Sequence, residues 1–320
     1  MEEKPLVSII VPCYNHEKFL CDFAKSIMEQ DYNNIEVLIL DDCSTDKSWE
    51  KLQELGIEMS GHGISSKLMR NEKNLGITKT LNHLIQVSHG KLIKVIASDD
   101  MFASTDSISQ FVSFFRENDY IDVAVCNGKM IQEQDRYPVV NAGKEIYGNP
   151  PKFSGQDLFI NLYCNNFIFA PGVMIKRSVY DKFGTYSEGL MTEDWEFWLR
   201  ITRDHGVNIG YIEKALIYYR KSSNSMTSLT KNRDLEARRI KLHSTEMEII
   251  EQYKEYVPKR IYASKKIKSI LKEQQMAKKC QLENLFQITE KEYDNFNMWK
   301  YLSVWDKLYI KMFKAVVKFI

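Results

Sequence analysis

The chain has 320 residues, of which 44% are hydrophobic and 27% charged, and it is long enough for one large soluble domain or two. An acidic amino-terminus, short apolar runs and six scattered cysteines without a CxxC pair predict a cytosolic protein with neither signal peptide nor spanning helix. The net charge of +1 conceals an asymmetry. Residues 1–228 carry 24 Lys and Arg against 31 Asp and Glu, whereas residues 229–320 carry 20 against 12. Regions of opposite charge predict different binding partners for the two parts of the chain.

The first hundred residues alternate short apolar strands with helical stretches. We predict strands at Leu6–Val11, Ile35–Leu40, Lys67–Arg70 and Leu92–Ala97, and helices at Lys18–Glu29, Ser44–Leu55 and Thr78–Ser88. Continuously apolar strands separated by helices indicate a parallel sheet that is covered on both faces. Asp41-Asp42 and Ser98-Asp99-Asp100 follow the second and fourth strands, at the carboxyl edge where such sheets bind ligands.

The next hundred residues continue the pattern less regularly. We predict helices at Ser104–Asn118, Gly155–Cys164 and Glu193–Asp204, and strands at Val123–Asn127, Gly172–Ile175 and Ile209–Arg220. From about residue 229 the sequence becomes rich in Lys and Glu and favours helices. We therefore predict two domains, an α/β domain at residues 1–228 and a helical region at residues 229–320 that ends in an amphipathic tail at residues 299–320.

Three groups of segments carry residues that could bind a ligand or act in catalysis. They are LVSIIVPCYN with EVLILDDCSTD (residues 6–15 and 36–46), NLG with Asn82 and SDD (residues 74–76 and 98–100), and PGVMIKR, FG and MTEDWEFWLR (residues 171–177, 183–184 and 191–200). An aromatic residue at a strand end can stack on a nucleobase, and a carboxylate can accept hydrogen bonds from base or ribose. The residues alone also allow Tyr14 to be a half-buried core aromatic, Asp41 a helix N-cap, and Asp99-Asp100 a solvated turn.

In this order and spacing, the segments resemble family 2 glycosyltransferases, which have a GT-A fold, a Rossmann-like α/β architecture with a mostly parallel sheet. The resemblance covers about Leu6 to Thr227, and the ED-W-x-F-W-x-R block is its most recognisable part. It implies inverting transfer of a hexosyl or N-acetylhexosaminyl group from a nucleoside diphosphate sugar, UDP being the commonest nucleotide, to an acceptor hydroxyl. The members it resembles build bacterial capsule, O-antigen and exopolysaccharide.

The resemblance also implies roles for individual residues. The implied donor contacts are Pro12, Tyr14, Asp42, Asn74, Gly76 and Asp99, the metal contact is Asp100, the general base is Asp194, and the acceptor contacts are Glu193 and Trp195. The metal is Mn²⁺ or Mg²⁺, which favour carboxylate and diphosphate oxygens and neutralise the leaving group. From the residues alone, Asp194 could instead cap the helix that carries Trp195 into the core, and both roles are compatible.

The sequence departs from the family after the last strand. Many members have a histidine that helps to hold the metal or the diphosphate where this chain has Ser222, so that contact is in doubt. Arg220, Lys221 and Asn224 are the candidate substitutes.

Other enzyme classes are disfavoured. The chain lacks GxGxxG after the first strand and GxxxxGK[ST] anywhere, its histidines fall singly, and it has PCYN where a sugar nucleotidyltransferase needs a glycine-rich loop and a lysine. The open alternative is a non-catalytic protein that binds sugar nucleotides or acts as a scaffold. The presence of both Asp100 and Asp194 argues against it. We expect no nucleic-acid partner.

The tail reads WKYLSVWDKLYIKMFKAVVKFI from Trp299, and no acid follows Asp306. At about 100° per residue, its lysines fall within an arc of roughly 60°, namely Lys300, Lys307, Lys311, Lys314 and Lys318. Such a helix suits the surface of an anionic membrane, which predicts a peripheral protein at the inner face of the cytoplasmic membrane and a glycan or lipid-linked acceptor. The alternative is a helix docked on its own domain or on a dimer partner.

Overall fold

The structure is a computed structural model that describes residues 4–139, 143–146, 155–204, 206–221 and 235–319, except the side chains of residues 155–156 and 314–319. The chain forms two compact units. The first consists of Met1–Gln156, Phe167–Glu188 and Arg200–Ser225, and the second of Asp157–Asn166, Gly189–Leu199 and Met226–Ile320. The division into domains at residue 228 stays a prediction.

The first unit contains one eight-stranded sheet and the helices that cover it. Its strands are β1 (Val7–Cys13), β2 (Ile35–Asp41), β3 (Ser65–Arg70), β4 (Leu92–Val95), β5 (Met101–Phe102), β6 (Val123–Gln132), β7 (Val173–Lys176) and β8 (Ile209–Lys221). Its helices are α1 (Leu20–Met28), α2 (Ser48–Gly61), α3 (Ile77–Val87), α4 (Ser107–Glu117) and α6 (Arg177–Phe183), with a 3₁₀ turn at Ala170–Gly172.

The strand order of the sheet is β3-β2-β1-β4-β7-β6-β8-β5. All seven residues of β1 are buried, and β1 pairs in parallel with β2 on one side and β4 on the other, with Val7 opposite both Ile35 and Leu92. The parallel sheet predicted for the first four long strands is therefore correct. Because these strands run the same way, the turns that follow β1, β2 and β4 leave the sheet at one edge. Strand β7 runs antiparallel between β4 and β6.

Helix α2 begins four residues later than its sequence predicts. The predicted helix starts at Ser44, but the Ser44 hydroxyl accepts a hydrogen bond from the amide of Asn15 at 2.8 Å. The Ser48 hydroxyl likewise accepts from the amide of His16 at 2.9 Å, and the helix begins at Ser48. The serines therefore join two turns at the carboxyl edge of the sheet.

The second unit is helical. Its helices are α5 (Gly155–Cys164), α7 (Glu193–Thr202), α8 (Leu235–Gln252), α9 (Lys259–Cys280), α10 (Glu283–Asp294) and α11 (Val304–Phe319), of which α5 and α7 lie mostly within it, and 3₁₀ turns occur at Lys254–Tyr256 and Trp299–Tyr301. The Tyr253 hydroxyl donates to Glu196 at 2.8 Å and the Tyr163 hydroxyl to the carbonyl of Ile250 at 2.9 Å. These buried bonds tie α5 and α7 to the end of α8.

Helix α11 packs on α9. Ile310 and Phe313 are buried in a cluster with Ala263, Ile267 and Leu271 of α9. Asp306 forms an ion pair with Lys268 of α9 at 2.7 Å. The docked-helix alternative is thus correct for one face of α11. Within the described residues, no helix is both long enough and apolar enough to span a bilayer.

Candidate active site

Three turns meet at the carboxyl edge of the first unit's sheet. Pro12 is buried at the end of β1, and its carbonyl accepts a hydrogen bond from the amide of Ser98 at 3.4 Å. The carbonyl of Cys13 accepts one from the amide of Asp42 at 2.8 Å. Main-chain bonds therefore hold the turns after β2 and β4 against the turn after β1, as the parallel strands predict.

The turn after β1 presents Tyr14 to solvent. Its side chain is 42% exposed, so the ring is not enclosed in the core. The next residue, Asn15, has a φ of 56°, a left-handed conformation that asparagine tolerates better than most residues. The Asn15 carboxamide oxygen accepts a hydrogen bond from the amide of Thr45 at 2.8 Å. The backbone of the turn is thus fixed while the aromatic ring stays available for stacking.

Asp42 is buried and organises the loop before α3. Its carboxylate accepts hydrogen bonds from the Asn71 side chain, the Leu75 amide and the Gly76 amide, each at 2.8 Å. The Asn74 carboxamide oxygen also accepts from the Gly76 amide, at 3.1 Å. Gly76 has a φ of 85°, which a residue with a side chain would adopt only with strain. The structure thus brings the predicted donor residues Asp42, Asn74 and Gly76 together, and their contact with a nucleoside stays a prediction.

Asp99 and Asp100 lie in the turn after β4. Asp100 is fully buried, and burial together with the adjacent Asp99 carboxylate raises its pKa well above the usual aspartate range. Burial and Asp99 outweigh the nearby positive charges of Lys94 and Arg220, and hard divalent cations prefer carboxylate oxygens. Across the described part of the chain, no three His, Cys, Asp or Glu side chains form a ready cation cage. The pair therefore fits a cation that takes its remaining ligands from a bound diphosphate.

His16 joins this group, although the sequence analysis did not identify it. Its Nδ1 lies 2.8 Å from the Ser98 hydroxyl, and its Nε2 lies 3.8 Å from a carboxylate oxygen of Asp99. His16 could have been identified from the order of the strands. His16 follows β1 and Asp99 follows β4, and because these strands pair in parallel, the turns after them lie side by side.

Arg220, a candidate substitute for the missing histidine, is bonded to neighbouring loops. It is buried, and its guanidinium donates to the main-chain carbonyls of Asp99 at 3.0 Å and Asp135 at 2.6 Å and pairs with Asp22 at 3.5 Å. Its amide donates to the Asp100 carboxylate at 2.9 Å. Arg220 therefore positions the acidic turn. Of the other candidates, Lys221 is exposed, and Asn224 and Ser222 lie outside the described residues.

The predicted base lies in the second unit. Asp194 is half-buried in the first turn of α7, which begins at Glu193, and one of its carboxylate oxygens accepts a hydrogen bond from the amide of Trp195 at 2.7 Å. The other oxygen accepts from the Asn166 side chain at 3.0 Å. Burial raises the pKa of Asp194 despite these bonds. A positioned carboxylate of raised pKa is a stronger base than a solvated one.

Two residues of the sequence motifs are committed to structure. Trp195 is buried, and its indole nitrogen donates to the carbonyl of Leu162 at 2.6 Å. The Asn82 carboxamide exchanges hydrogen bonds with the main chain of Tyr186, at 2.8 and 2.9 Å. Trp195 therefore fixes α7 in the core of its unit, and its contact with an acceptor stays a prediction.

Glu193 precedes the base, and burial followed by the Asp194 charge raises its pKa to about 7. An acid whose pKa is raised in the folded state favours folding at low pH, and this stabilisation is lost as the pH rises through 7. Glu193→Gln should therefore raise the melting temperature at pH 8 and change it little at pH 5, where Glu193 is protonated. The solvent-exposed Glu188→Gln should show no such difference. Equal shifts at both pH values would contradict the assignment.

Comparison with known families matches residues 8–184 to Glycosyl transferase family 2. An uncharacterized glycosyltransferase of Haemophilus influenzae is 29% identical over 236 residues, covering 72% of this chain and 69% of that protein. A putative colanic acid biosynthesis glycosyl transferase, WcaA of Escherichia coli, is 27% identical over 215 residues, covering 64% of this chain and 69% of that protein.

Solved glycosyltransferases share the fold. Staphylococcus aureus TarS 1-349 in complex with UDP-GlcNAc superposes with a TM-score of 0.55 at 17% identity, covering 90% of this chain and 89% of that one. The mannosyltransferase PcManGT from Pyrobaculum calidifontis, in complex with GDP-Man and Mn²⁺, gives 0.55 at 15% identity, covering 79% of this chain and 65% of that one. The predicted GT-A fold with helices at its carboxyl-terminal end is confirmed.

Proposed function

The chain belongs to Glycosyl transferase family 2, and from that membership we propose that it is an inverting, metal-dependent glycosyltransferase. It moves a hexosyl or N-acetylhexosaminyl group from a nucleoside diphosphate sugar, with UDP as the first candidate nucleotide, to an acceptor hydroxyl. The acceptor is a glycan or a lipid-linked glycan in polysaccharide biosynthesis. The similarity to the colanic acid protein supports the last part of the proposal.

The observation that carries the proposal is the acidic turn after β4. Asp100 is buried with one oxygen held by the Arg220 amide, and Asp99 is half-buried beside it. Burying an ionised carboxylate beside a second one is costly to folding, and here burial and Asp99 outweigh the charges of Lys94 and Arg220. Cation binding would relieve that cost, and a cation held there supplies the charge that makes a nucleoside diphosphate a good leaving group.

The donor is held by the turns around this pair. The exposed Tyr14 ring stacks on the base, and the Asp42-bonded loop that contains Asn74 and Gly76 borders the nucleoside. Asp99 contacts the ribose or the ligand shell of the cation. Pro12 shapes the end of β1 below them. These assignments use side chains and loops that the structure brings to one edge of the sheet.

The transfer step uses Asp194. As the acceptor oxygen attacks the anomeric carbon, its proton passes to the Asp194 carboxylate, while the bond from carbon to diphosphate oxygen breaks and its electron pair leaves with the nucleotide. Attack opposite the leaving group inverts the anomeric configuration. The bonds from Asn166 and from the Trp195 amide keep the carboxylate oriented for this transfer.

Donor binding tests the base-stacking role. Tyr14→Ala should weaken binding of UDP with Mn²⁺ by about 10-fold, since stacking on one base is worth roughly 1–3 kcal/mol, whereas Tyr14→Phe should bind normally. Melting temperatures titrated with UDP, GDP and their sugars measure the effect. Tyr120→Ala, which removes another exposed tyrosine of the first unit, is the control. Unchanged affinity in Tyr14→Ala would assign the base to another surface.

Activity separates an enzyme from a binding protein. Release of free nucleotide from the stabilising donor, with Mn²⁺ and with or without lipid-linked glycan extracts, is expected from the enzyme. A donor that binds tightly but is never hydrolysed or transferred would favour the non-catalytic alternative. We further propose that the protein works at the cytoplasmic face of the membrane, attached peripherally through its carboxyl-terminal tail, because residues 229–320 are basic overall and the lysines of the tail share one narrow arc.

A further inference from the structure

Helix α11 has three faces with different chemistry. At about 100° per residue, its buried side chains, Asp306, Ile310 and Phe313, share one sector of roughly 60°. This sector contacts α9. The side chain of Phe313 packs in a cluster with Ile267 of α9 and so belongs to the protein interior.

A second face of α11 is apolar and open to solvent. Trp305 is 80% exposed, Val304 73% and Met312 71%, and Leu308 is half-exposed beside them. The four side chains lie within roughly 100° of the helix circumference. Exposing large apolar side chains in a contiguous group is unfavourable in water, and such groups mark interaction surfaces.

The third face is basic. Lys307 and Lys311 are exposed and lie next to the apolar face, in the sector between it and the buried one. The one acid of α11, Asp306, is turned inward, where Ser264 and Lys268 each bond it at 2.7 Å. The outer surface of the described helix therefore combines an apolar strip with positive charge and carries no negative charge.

From these three faces we infer that α11 binds an anionic lipid surface while it stays docked on α9, with Val304, Trp305, Leu308 and Met312 inserted and Lys307 and Lys311 at the headgroups. The inference rests on the peripheral attachment proposed above and names its contact residues. An anionic bilayer complements both exposed faces, since its acyl boundary accepts the apolar strip and its headgroups attract lysine.

The arrangement changes how attachment is tested. Deleting the tail would expose Ile267 and Leu271 of α9 and destabilise the unit, so a deletion cannot separate binding from folding. Two double variants of the full-length protein avoid this problem. Trp305→Ala with Met312→Ala removes the apolar strip, and Lys307→Glu with Lys311→Glu reverses the basic face. Neither changes a buried side chain.

The experiment is co-sedimentation with vesicles of phosphatidylcholine containing about one third phosphatidylglycerol. Wild type should bind, the apolar double variant should bind at least about 10-fold more weakly at any salt concentration, and the charge-reversed variant should lose the binding that 0.5 M NaCl also removes. Binding to pure phosphatidylcholine should be weaker for the wild type and for the apolar double variant, which keep both lysines, and should not be weaker for the charge-reversed variant. Lys241→Glu with Lys291→Glu reverses two exposed lysines elsewhere in the unit, so it has the same net charge as the Lys307 and Lys311 variant, and it should bind like wild type.

Melting curves and light scattering complete the test. The apolar double variant should keep the wild-type melting temperature, whereas Phe313→Ala should lower it. Wild-type binding by the apolar double variant would overturn the inference, as would a wild-type dimer that this variant converts to monomer without any vesicle binding. The donor-induced melting shift, measured in the same samples, reports the first unit independently, so failure of attachment and failure of the proposed activity are distinguishable.

Discussion

Asp194→Asn should reduce sugar transfer by about 10²–10⁴-fold, the usual cost of removing a general base, and leave donor affinity within a factor of two. Asparagine is nearly isosteric, and its oxygen can still accept the hydrogen bond that the Trp195 amide donates at 2.7 Å. A rotation of the Asn166 carboxamide would satisfy the new amide group. The loss should therefore be chemical and not structural.

Initial rates with acceptor and the donor-induced melting shift measure the two quantities separately. Asp157→Asn, in the first turn of α5 in the same unit, is the matched control and should transfer at the wild-type rate. Burial raises the pKa of Asp194, so this base becomes protonated at a higher pH than a solvated aspartate does. As the pH is lowered, the wild-type rate should therefore begin to fall above the pH range in which a solvated aspartate titrates. Wild-type turnover by Asp194→Asn on its acceptor would remove this residue from the mechanism.

Asp100→Asn should reduce transfer by at least about 100-fold, because cation stabilisation of a leaving group contributes several kcal/mol. The variant should also lose the part of the donor-induced melting shift that depends on Mn²⁺. Without metal it should be at least as stable as wild type near neutral pH. The reason is that burial and Asp99 raise the pKa of Asp100, so that ionisation costs stability as the pH rises through that pKa, and asparagine does not ionise.

Asp119→Asn, an exposed aspartate of the first unit, serves as the control and should retain both the metal-dependent shift and the activity. Excess EDTA should reproduce the Asp100→Asn phenotype in wild type. Full activity in EDTA would require a cationic side chain in place of the metal. Arg220 is already bonded to carbonyls and to Asp22, which leaves the exposed Lys221 as the candidate.

Much of the first unit follows from its sequence because its central strands are buried on both faces. The apolar runs that became β1, β2 and β4 were placed to within two residues at either end, and α5 was placed at its observed bounds. The two-residue strand β5 and the short helix α6 were missed, since neither is long enough to show a period. The antiparallel direction of β7 is a property of chain connection that the residues of the strand do not encode.

The candidate site shows the same division. The acids after β2 and β4 could be identified because a carboxylate that follows a buried apolar strand is expected at the carboxyl edge of the sheet. Asp42 and Asp100 lie in the turns at that edge. His16 was missed because its partner Asp99 is 83 residues away and only strand pairing joins them. The charge of Arg220 suggested a residue that binds the diphosphate. In the structure its guanidinium is buried and donates to main-chain carbonyls of the neighbouring loops.

The bonds that Tyr253 and Tyr163 make with α7 and α8 bear on how relatives of this protein can be recombined. The helix that carries Asp194 packs in one core with segments that are distant in sequence. A graft of only the residues around the base would therefore introduce a packing surface without the side chains that normally contact it. A chimaera that exchanges acceptor preference would need residues 157–166, 189–199 and 226–320 from one parent. Sequence drift in any of the three segments would likewise be constrained by the other two.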